Sequence, residues 1–161
     1  MNRTNWLLAC CAALVATLIG CASSPASTPI ADATAANPQL TTLNKLVQDA
    51  GLANTLRGAG PYTVFAPSDE AFKQLPKATL DALAQDKAQL KSLLSYHVVA
   101  GKLSTAEVQN GSVKTLQGAA LALSKAGSYV TVEDAMVLQS DVPASNGVVH
   151  VIDRVLVPPK K

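Results

Sequence analysis

Apolar positions between Leu40 and His97 recur mostly at spacings of three and four, whereas those beyond Gly111 recur at two. The first spacing is one face of a helix and the second one face of a strand. Leu40, Leu43, Leu46, Val47 and Ala50 predict an opening helix, with Thr41 or Thr42 to cap its start and Gly51 at its stop. A shorter helical piece runs from Leu52 to Leu56 and ends at Gly58. Tyr62-Thr63-Val64-Phe65 is an early strand by propensity. Ala66-Pro67-Ser68 turns it into a helix capped by Ser68, with Asp69 and Glu70 in the first turn, where the helix dipole favours negative charge. Leu80 and Leu83 make a further helical turn after Pro76, and Asp86 caps a helix bearing Leu90, Leu93, Leu94 and His97. Ser104-Thr105-Ala106-Glu107 is a capping box that predicts one more short helix. Strands are predicted at Val113 to Leu116, Leu121 to Ser124, Tyr129 to Val132 and Met136 to Val142, broken by Gly118, Gly127 and the Glu133-Asp134 pair.

The closing stretch carries the strongest β signal. Asn146-Gly147 is a tight-turn pair, a β-branched run follows, and Pro158-Pro159 ends it. Val149, Val151, Val155 and Val157 fall on one face of that strand, and Val148, Ile152 and Leu156 on the other. Apolar residues on both faces predict a strand covered on both sides. A central strand at the end of the chain closes late, through contacts distant in sequence. Helices first and strands afterwards, with one early strand and no internal repeat, imply an α+β domain with a largely antiparallel sheet.

The N-terminal residues read differently. Arg3 precedes an apolar stretch from Leu7 through Ile19, too short for the roughly 20 residues that span a bilayer but suited to a secretory signal. Leu18-Ile19-Gly20-Cys21 resembles a bacterial lipobox, in which cleavage before the cysteine leaves a diacylglyceryl-modified N-terminus. Ala22 after the cysteine implies, by the same resemblance, sorting to the outer membrane, on its periplasmic or surface face. Two or three acyl chains make a stable anchor. Cys10 and Cys11 leave with the signal, so only Cys21 remains and no disulfide or cysteine metal site is expected. Ala22 to Asn37, rich in Ala, Ser, Thr and Pro with one charge at Asp32, reads as a tether reaching up to about 50 Å when extended. The organisation expected is a signal peptide over 1–20, a lipidated cysteine and tether over 21–37, and one domain over 38–159.

Loss of Arg3 takes the Lys and Arg count from 13 to 12 against 11 acidic residues, a net charge of +1. Without clustered Lys and Arg there is no nucleic-acid footprint. The mature chain keeps only Tyr62, Phe65, Phe72, Tyr96 and Tyr129 as aromatics, which argues against a sugar- or base-stacking platform.

Three stretches share a likeness. Gly60-Pro61-Tyr62-Thr63-Val64-Phe65-Ala66-Pro67-Ser68-Asp69-Glu70-Ala71-Phe72 resembles the first signature block of fasciclin domains, Tyr96-His97 their central Tyr-His motif, and Asn146-Gly147-Val148-Val149-His150-Val151-Ile152-Asp153-Arg154-Val155-Leu156 their second block. The resemblance implies a single fasciclin-like domain, a seven-stranded β-wedge with helices packed on it. It also implies adhesion or extracellular binding without catalysis and without a cofactor, the partner being an envelope, matrix or cell-surface macromolecule. Within the family the Tyr-His region is linked to partner binding, which makes Tyr96 and His97 the candidate contact residues. An Asp-Ile dipeptide before the second block serves adhesion in relatives; its counterpart here, Asp141-Val142, is a candidate exposed surface. Some fasciclin-like proteins bind carotenoids, so the alternative is a carrier of an apolar small molecule, a carotenoid or lipid.

Other chemistry is weaker. Ser68 reads as a helix cap and lacks the flanking glycines of a nucleophile elbow. His150 and Asp153 are three apart on a strand and face opposite sides, and two histidines are too few for a metal site. His150 in an apolar strand is expected to donate a buried hydrogen bond, and His97 to place an imidazolium against the carbonyl end of its helix.

Overall fold

The structure is a computed structural model that describes residues 28–158. Cys21, the signal and the first part of the tether lie outside the described residues, as does Pro159. Among the described residues no helix is long and apolar enough to cross a membrane.

Helices α1 (Ile30–Ala36), α2 (Thr41–Asp49) and α3 (Ala53–Arg57) come first, with a 3-10 turn over Pro38–Leu40. Strand β1 (Tyr62–Pro67) follows, then α4 (Asp69–Lys73), α5 (Lys77–Gln85) and α6 (Lys87–Tyr96). The rest is strand: β2 (Val98–Ala100), β3 (Gly111–Lys114), β4 (Ala120–Ala126), β5 (Tyr129–Val132), β6 (Ala135–Ala144) and β7 (Gly147–Ile152). Seven strands form one sheet in the order β2-β1-β7-β6-β5-β4-β3. Every pair is antiparallel except β1 with β7. A bridge between Val99 and Thr115 nearly closes the sheet. The α+β expectation and the seven strands hold.

Burial follows strand parity. Val64 and Ala66 of β1, with Val149 and Val151 of β7, pack under the helices against Leu43, Val47, Leu90 and Leu94. Phe65 and Ile152 point the other way, into a second cluster with Leu121, Leu123, Val130 and Val132 inside the curved half of the sheet. β7 is buried at all six positions, which is what apolar residues on both faces require. Each fully buried Val, Leu or Phe contributes about 1.5–3 kcal/mol, so these two clusters dominate the stability of a chain whose described residues hold no cysteine.

Four expectations are corrected. The tether reading fails for its second half, because α1 packs on the sheet with Ile30 fully buried and Ala31 and Thr34 inside. A low-apolar segment becomes ordered here because its main chain is bonded: Ile30 N–H donates to Asn146 Oδ1 at 2.8 Å. The closing strand stops at Ile152, since Asp153 turns its carboxylate to the Met136 N–H at 2.7 Å. Beyond that turn Val155 and Leu156 still reach the two clusters assigned to their faces. Ser104–Glu107 makes a single turn, in which Glu107 Oε2 accepts from Ser104 N–H and Oγ–H, and does not continue as a helix. Neither Thr41 nor Thr42 caps α2; Asp69 reaches over from α4 to accept from Thr42 N–H at 2.7 Å. Ser68 and Asp86 cap α4 and α6 as expected.

One end of the sheet gathers Tyr62, Ala100, Ala144 and Gly147, and the other Pro67, Val137 and Ile152. At the first end, a Cβ on Gly147 would sit 1.9 Å from Tyr62 O, and one on Gly60 2.0 Å from Asn146 O. Glycine is required at both places by contact. Asn146 also donates through Nδ2 to Leu56 O (2.7 Å) and Gly58 O (2.9 Å), which ties α3 and α1 to the β6–β7 turn.

Candidate functional site

Helix α6 ends in the Tyr-His pair, and the two side chains part company. Leu90, Leu93 and Leu94 seat the helix in the first cluster, and this fixes where residues 96 and 97 emerge. His97 is 1 % exposed. Leu156 N–H donates to its Nε2 at 3.0 Å, so the proton lies on Nδ1, which donates to Leu93 O at 2.8 Å. The ring thus satisfies an end carbonyl of α6 and fastens the segment after β7 to it. Burial pushes its pKa down to about 4 against a weaker opposing effect of the Leu93 bond. The expected imidazolium is therefore corrected to a neutral imidazole: the carbonyl partner is right and the charge is wrong, because no solvent reaches the ring.

Tyr96 is 3 % exposed and packs in the second cluster. Its hydroxyl lies 3.3 Å from Ala120 O and 3.4 Å from Glu133 Oε1. Burial, then the charge and hydrogen bonding of Glu133, raise its pKa. The residue lines a recess of about 460 Å³ with Ala120, Glu133, Asp134, Arg154 and Leu156. Glu133 has φ 53° and also accepts from Ala122 N–H at 2.8 Å, so its carboxylate is held in place. Of the expected contact pair, Tyr96 borders a surface recess and His97 does not reach the surface.

Asp141 and Val142 sit where β6 slips register against β7. Asp141 has φ 55° and is exposed, while Val142 is half-buried against the first cluster. The Asp141 carboxylate accepts from Thr105 N–H at 2.9 Å and from Thr105 Oγ–H. Partial burial raises its pKa, but the Thr105 bonds, His150 and Lys102 together outweigh this and leave it lowered. Asp141 N–H donates to His150 Nδ1 at 3.2 Å, which puts the His150 proton on Nε2, donated to Leu103 O at 2.8 Å. His150 is 1 % exposed and stacks on Phe65 with ring centroids 5.6 Å apart; burial lowers its pKa. Asp141 and His150 therefore act together to fasten the 101–110 loop. No hydrogen bond joins either to Tyr96 or His97 among the described residues. The Ser68 hydroxyl, 5 % exposed, accepts from Ala71 N–H as a cap.

Sequence reading missed three features. Glu133 and Arg154 border the Tyr96 recess, but Glu133 reads as a break between strands and Arg154 as part of the closing strand. Asn146 reads as a turn residue and proves to be a three-bond tie. A groove of about 630 Å³ runs between α5 and α6, lined by Leu75, Leu83, Leu93, Gln117 and Val157. In its wall Gln117 Nε2 donates to Ser92 Oγ at 3.0 Å while Gln117 Oε1 is buried without a partner. Among the described residues no His, Cys, Asp and Glu cluster could hold a metal ion.

A family model described as the fasciclin domain matches residues 38–158. Protein sll1483 of Synechocystis sp. is 42 % identical over 140 residues, covering 86 % of this chain and 78 % of its own length. Cell surface glycolipoprotein MPT83 of Mycobacterium tuberculosis is 42 % identical over 145 residues, covering 87 % of this chain, which spans 65 % of that protein. Immunogenic protein MPT70 of the same organism is 43 % identical over 136 residues, covering 81 % of this chain and 69 % of its own. The solved FAS1 domain pair of the insect cell adhesion molecule fasciclin I aligns with a TM-score of 0.69 over 83 % of this chain and 52 % of that one, and at 17 % identity this likeness shows the fold alone.

Proposed function

The chain belongs to the fasciclin domain family, and from that premise we propose that it is a non-catalytic binding module of the bacterial envelope, held by a lipid on Cys21 at the outer membrane and engaged in adhesion or protein and matrix contact. The observation that carries this reading is the likeness, over most of the chain, to a cell surface glycolipoprotein, taken together with the Leu18-Ile19-Gly20-Cys21 lipobox. The recess beside Tyr96 supplies the contact surface, with Glu133, Asp134 and Arg154 at its rim. His97 supports that surface from inside by fixing Leu156. Crosslinking in intact cells, followed by mass spectrometry, is expected to recover one envelope macromolecule in register with this recess, and Arg154→Glu is expected to abolish its capture. Recovery unchanged by Arg154→Glu, with attachment and envelope integrity unchanged on gene deletion, refutes the reading.

A second reading has its own observation. The groove between α5 and α6 has the size and the mostly apolar walls of a small-molecule site. A stoichiometric pigment or lipid in protein purified from native membranes would make the chain a carrier.

A further inference from the structure

We propose that the end of the domain carrying Thr28, Ala59, Lys102 and Ser145 lies against the lipid headgroups of the anchoring membrane, with the Tyr96 recess turned away from them. The proposal rests on the lipid-anchor reading above and adds an orientation to it.

The first argument is one of length. The chain is fixed to the fold from Thr28 onward, because Thr28 O accepts from Ser145 N–H at 2.9 Å and Ile30 is fully buried. Seven residue steps separate Cys21 from Thr28, and seven steps span no more than about 25 Å. A tether running to Asn37 would have allowed about 55 Å over its sixteen steps. A domain of roughly 130 residues has a radius of gyration of about 14 Å and hence a diameter of about 36 Å. Turning the domain over would lift Thr28 by more than the length of β7 and by up to a full diameter, which takes up all or more than all of the remaining chain.

The second argument is one of charge. The shallow recess at the Thr28 end is lined by Ala59, Gly60, Pro61, Ser145 and Asn146, and its one charged lining residue is Lys102. Nearby Arg57 and Asp32 are paired with each other at 2.7 Å. Small uncharged residues and a lysine suit an anionic headgroup surface. The opposite end carries Glu133, Asp134 and Asp153 around the β5–β6 turn and the end of β7, with Arg154 beside them. With Lys114 paired opposite Ala120 at this same end, these three carboxylates face two cations, which leaves the end slightly acidic and less suited to anionic lipid than the Lys102 end. The six residues of β7 alone separate the two ends by about 20 Å.

The test uses the full-length protein, processed in cells and reconstituted into preformed vesicles of phosphatidylethanolamine and phosphatidylglycerol that contain an acceptor-labelled lipid. Ala59→Cys and Asp134→Cys, both at exposed positions, each carry a donor fluorophore; the acylated Cys21 takes none. Energy transfer from position 59 is expected to exceed that from position 134 by about threefold, given ends about 20 Å apart. Equal transfer, or stronger transfer from position 134, overturns the orientation. Mass spectrometry of the N-terminal fragment of the processed protein tests the premise separately: a diacylglyceryl group on Cys21 upholds the anchor, and an unmodified Cys21 overturns the anchor and the orientation argument with it.

Discussion

Replacing Asn146 by Ala tests how the N-terminal helices are held. The side chain makes three bonds to main-chain groups far away in sequence: it accepts from Ile30 N–H and donates to Leu56 O and Gly58 O, at 2.7–2.9 Å. Its backbone does not adopt positive φ, so Ala fits the turn and the experiment isolates the amide. A net contribution of about 1 kcal/mol per bond gives about 3 kcal/mol, and groups left partly buried without partners push the value upward. That is a large share of a total stability of about 5–15 kcal/mol. With a urea slope of about 2 kcal/mol/M, the unfolding midpoint falls by about 1.5 M. The loss is also local: amide exchange at Ile30 and through α1 should approach that of a frayed end, while β7 amides keep their protection relative to the new global stability. Asn146→Asp keeps the acceptor for Ile30 N–H and loses both donors, so it should spare α1 more than α3. A midpoint shift under about 0.4 M, or uniform loss of protection with no excess in α1, would refute the claim that Asn146 converts the preceding segment from tether to fold.

Acidification supplies a second test. His97 has its pKa lowered from 6.5 to about 4, so on acidification the unfolded chain takes up the proton first. Stability is unaffected above pH 6.5, falls between 6.5 and about 4, and loses about 3 kcal/mol in all, with His150 acting in the same direction. The carboxylates with lowered pKa, Asp86, Glu107 and Asp141, add their losses only below their ordinary range, so the interval from pH 6.5 to 4.5 belongs to the histidines. NMR titration showing either ring protonating near pH 6.5 in the folded protein would contradict this. Gly147→Ala should abolish folding, because its Cβ meets Tyr62 O at 1.9 Å, whereas Gly127→Ala has open space and should cost only the about 1–2 kcal/mol of its φ of 63°; circular dichroism of the two variants decides it. Asp141→Asn keeps a residue tolerant of φ 55° and removes the charge on Thr105, so exchange at the Thr105 amide should speed up by about five- to tenfold, about 1 kcal/mol, with β7 unchanged.

Most helices and strands were legible because each buries one face and so writes its period into the chain, and β7 because an unbroken β-branched run marks burial on both faces. Ser68 and Asp86 were legible for a related reason, since a cap and its partners lie within three residues. What escaped was bonding between distant residues. Asp69 caps α2 across 27 positions and Asn146 holds Ile30 across 116. No local window contains both partners, so the composition of α1 argues for a tether and carries no local sign that it folds. The Tyr-His pair was legible as a place but not as a role. Spacing puts His97 at the end of α6, yet its proton position follows from Leu156, 59 residues later, and its lowered pKa from burial by the whole fold. The recess beside Tyr96 depends on Glu133 and Arg154, brought there by the sheet register rather than by any motif.

The bridge between Val99 and Thr115 also limits how this domain can hold a partner. A sheet with a free edge can recruit an extended peptide as one more strand. Here β2 is already occupied on its outer side, where Leu116 N–H donates to Val98 O at 2.8 Å next to the bridge. The other edge strand, β3, has only four residues and ends at the exposed Lys114. Short, charged edges discourage backbone pairing. In the binding-module reading proposed above, recognition is therefore expected through side chains and turns, which would leave specificity open to change by surface substitution while the seven strands stay as they are.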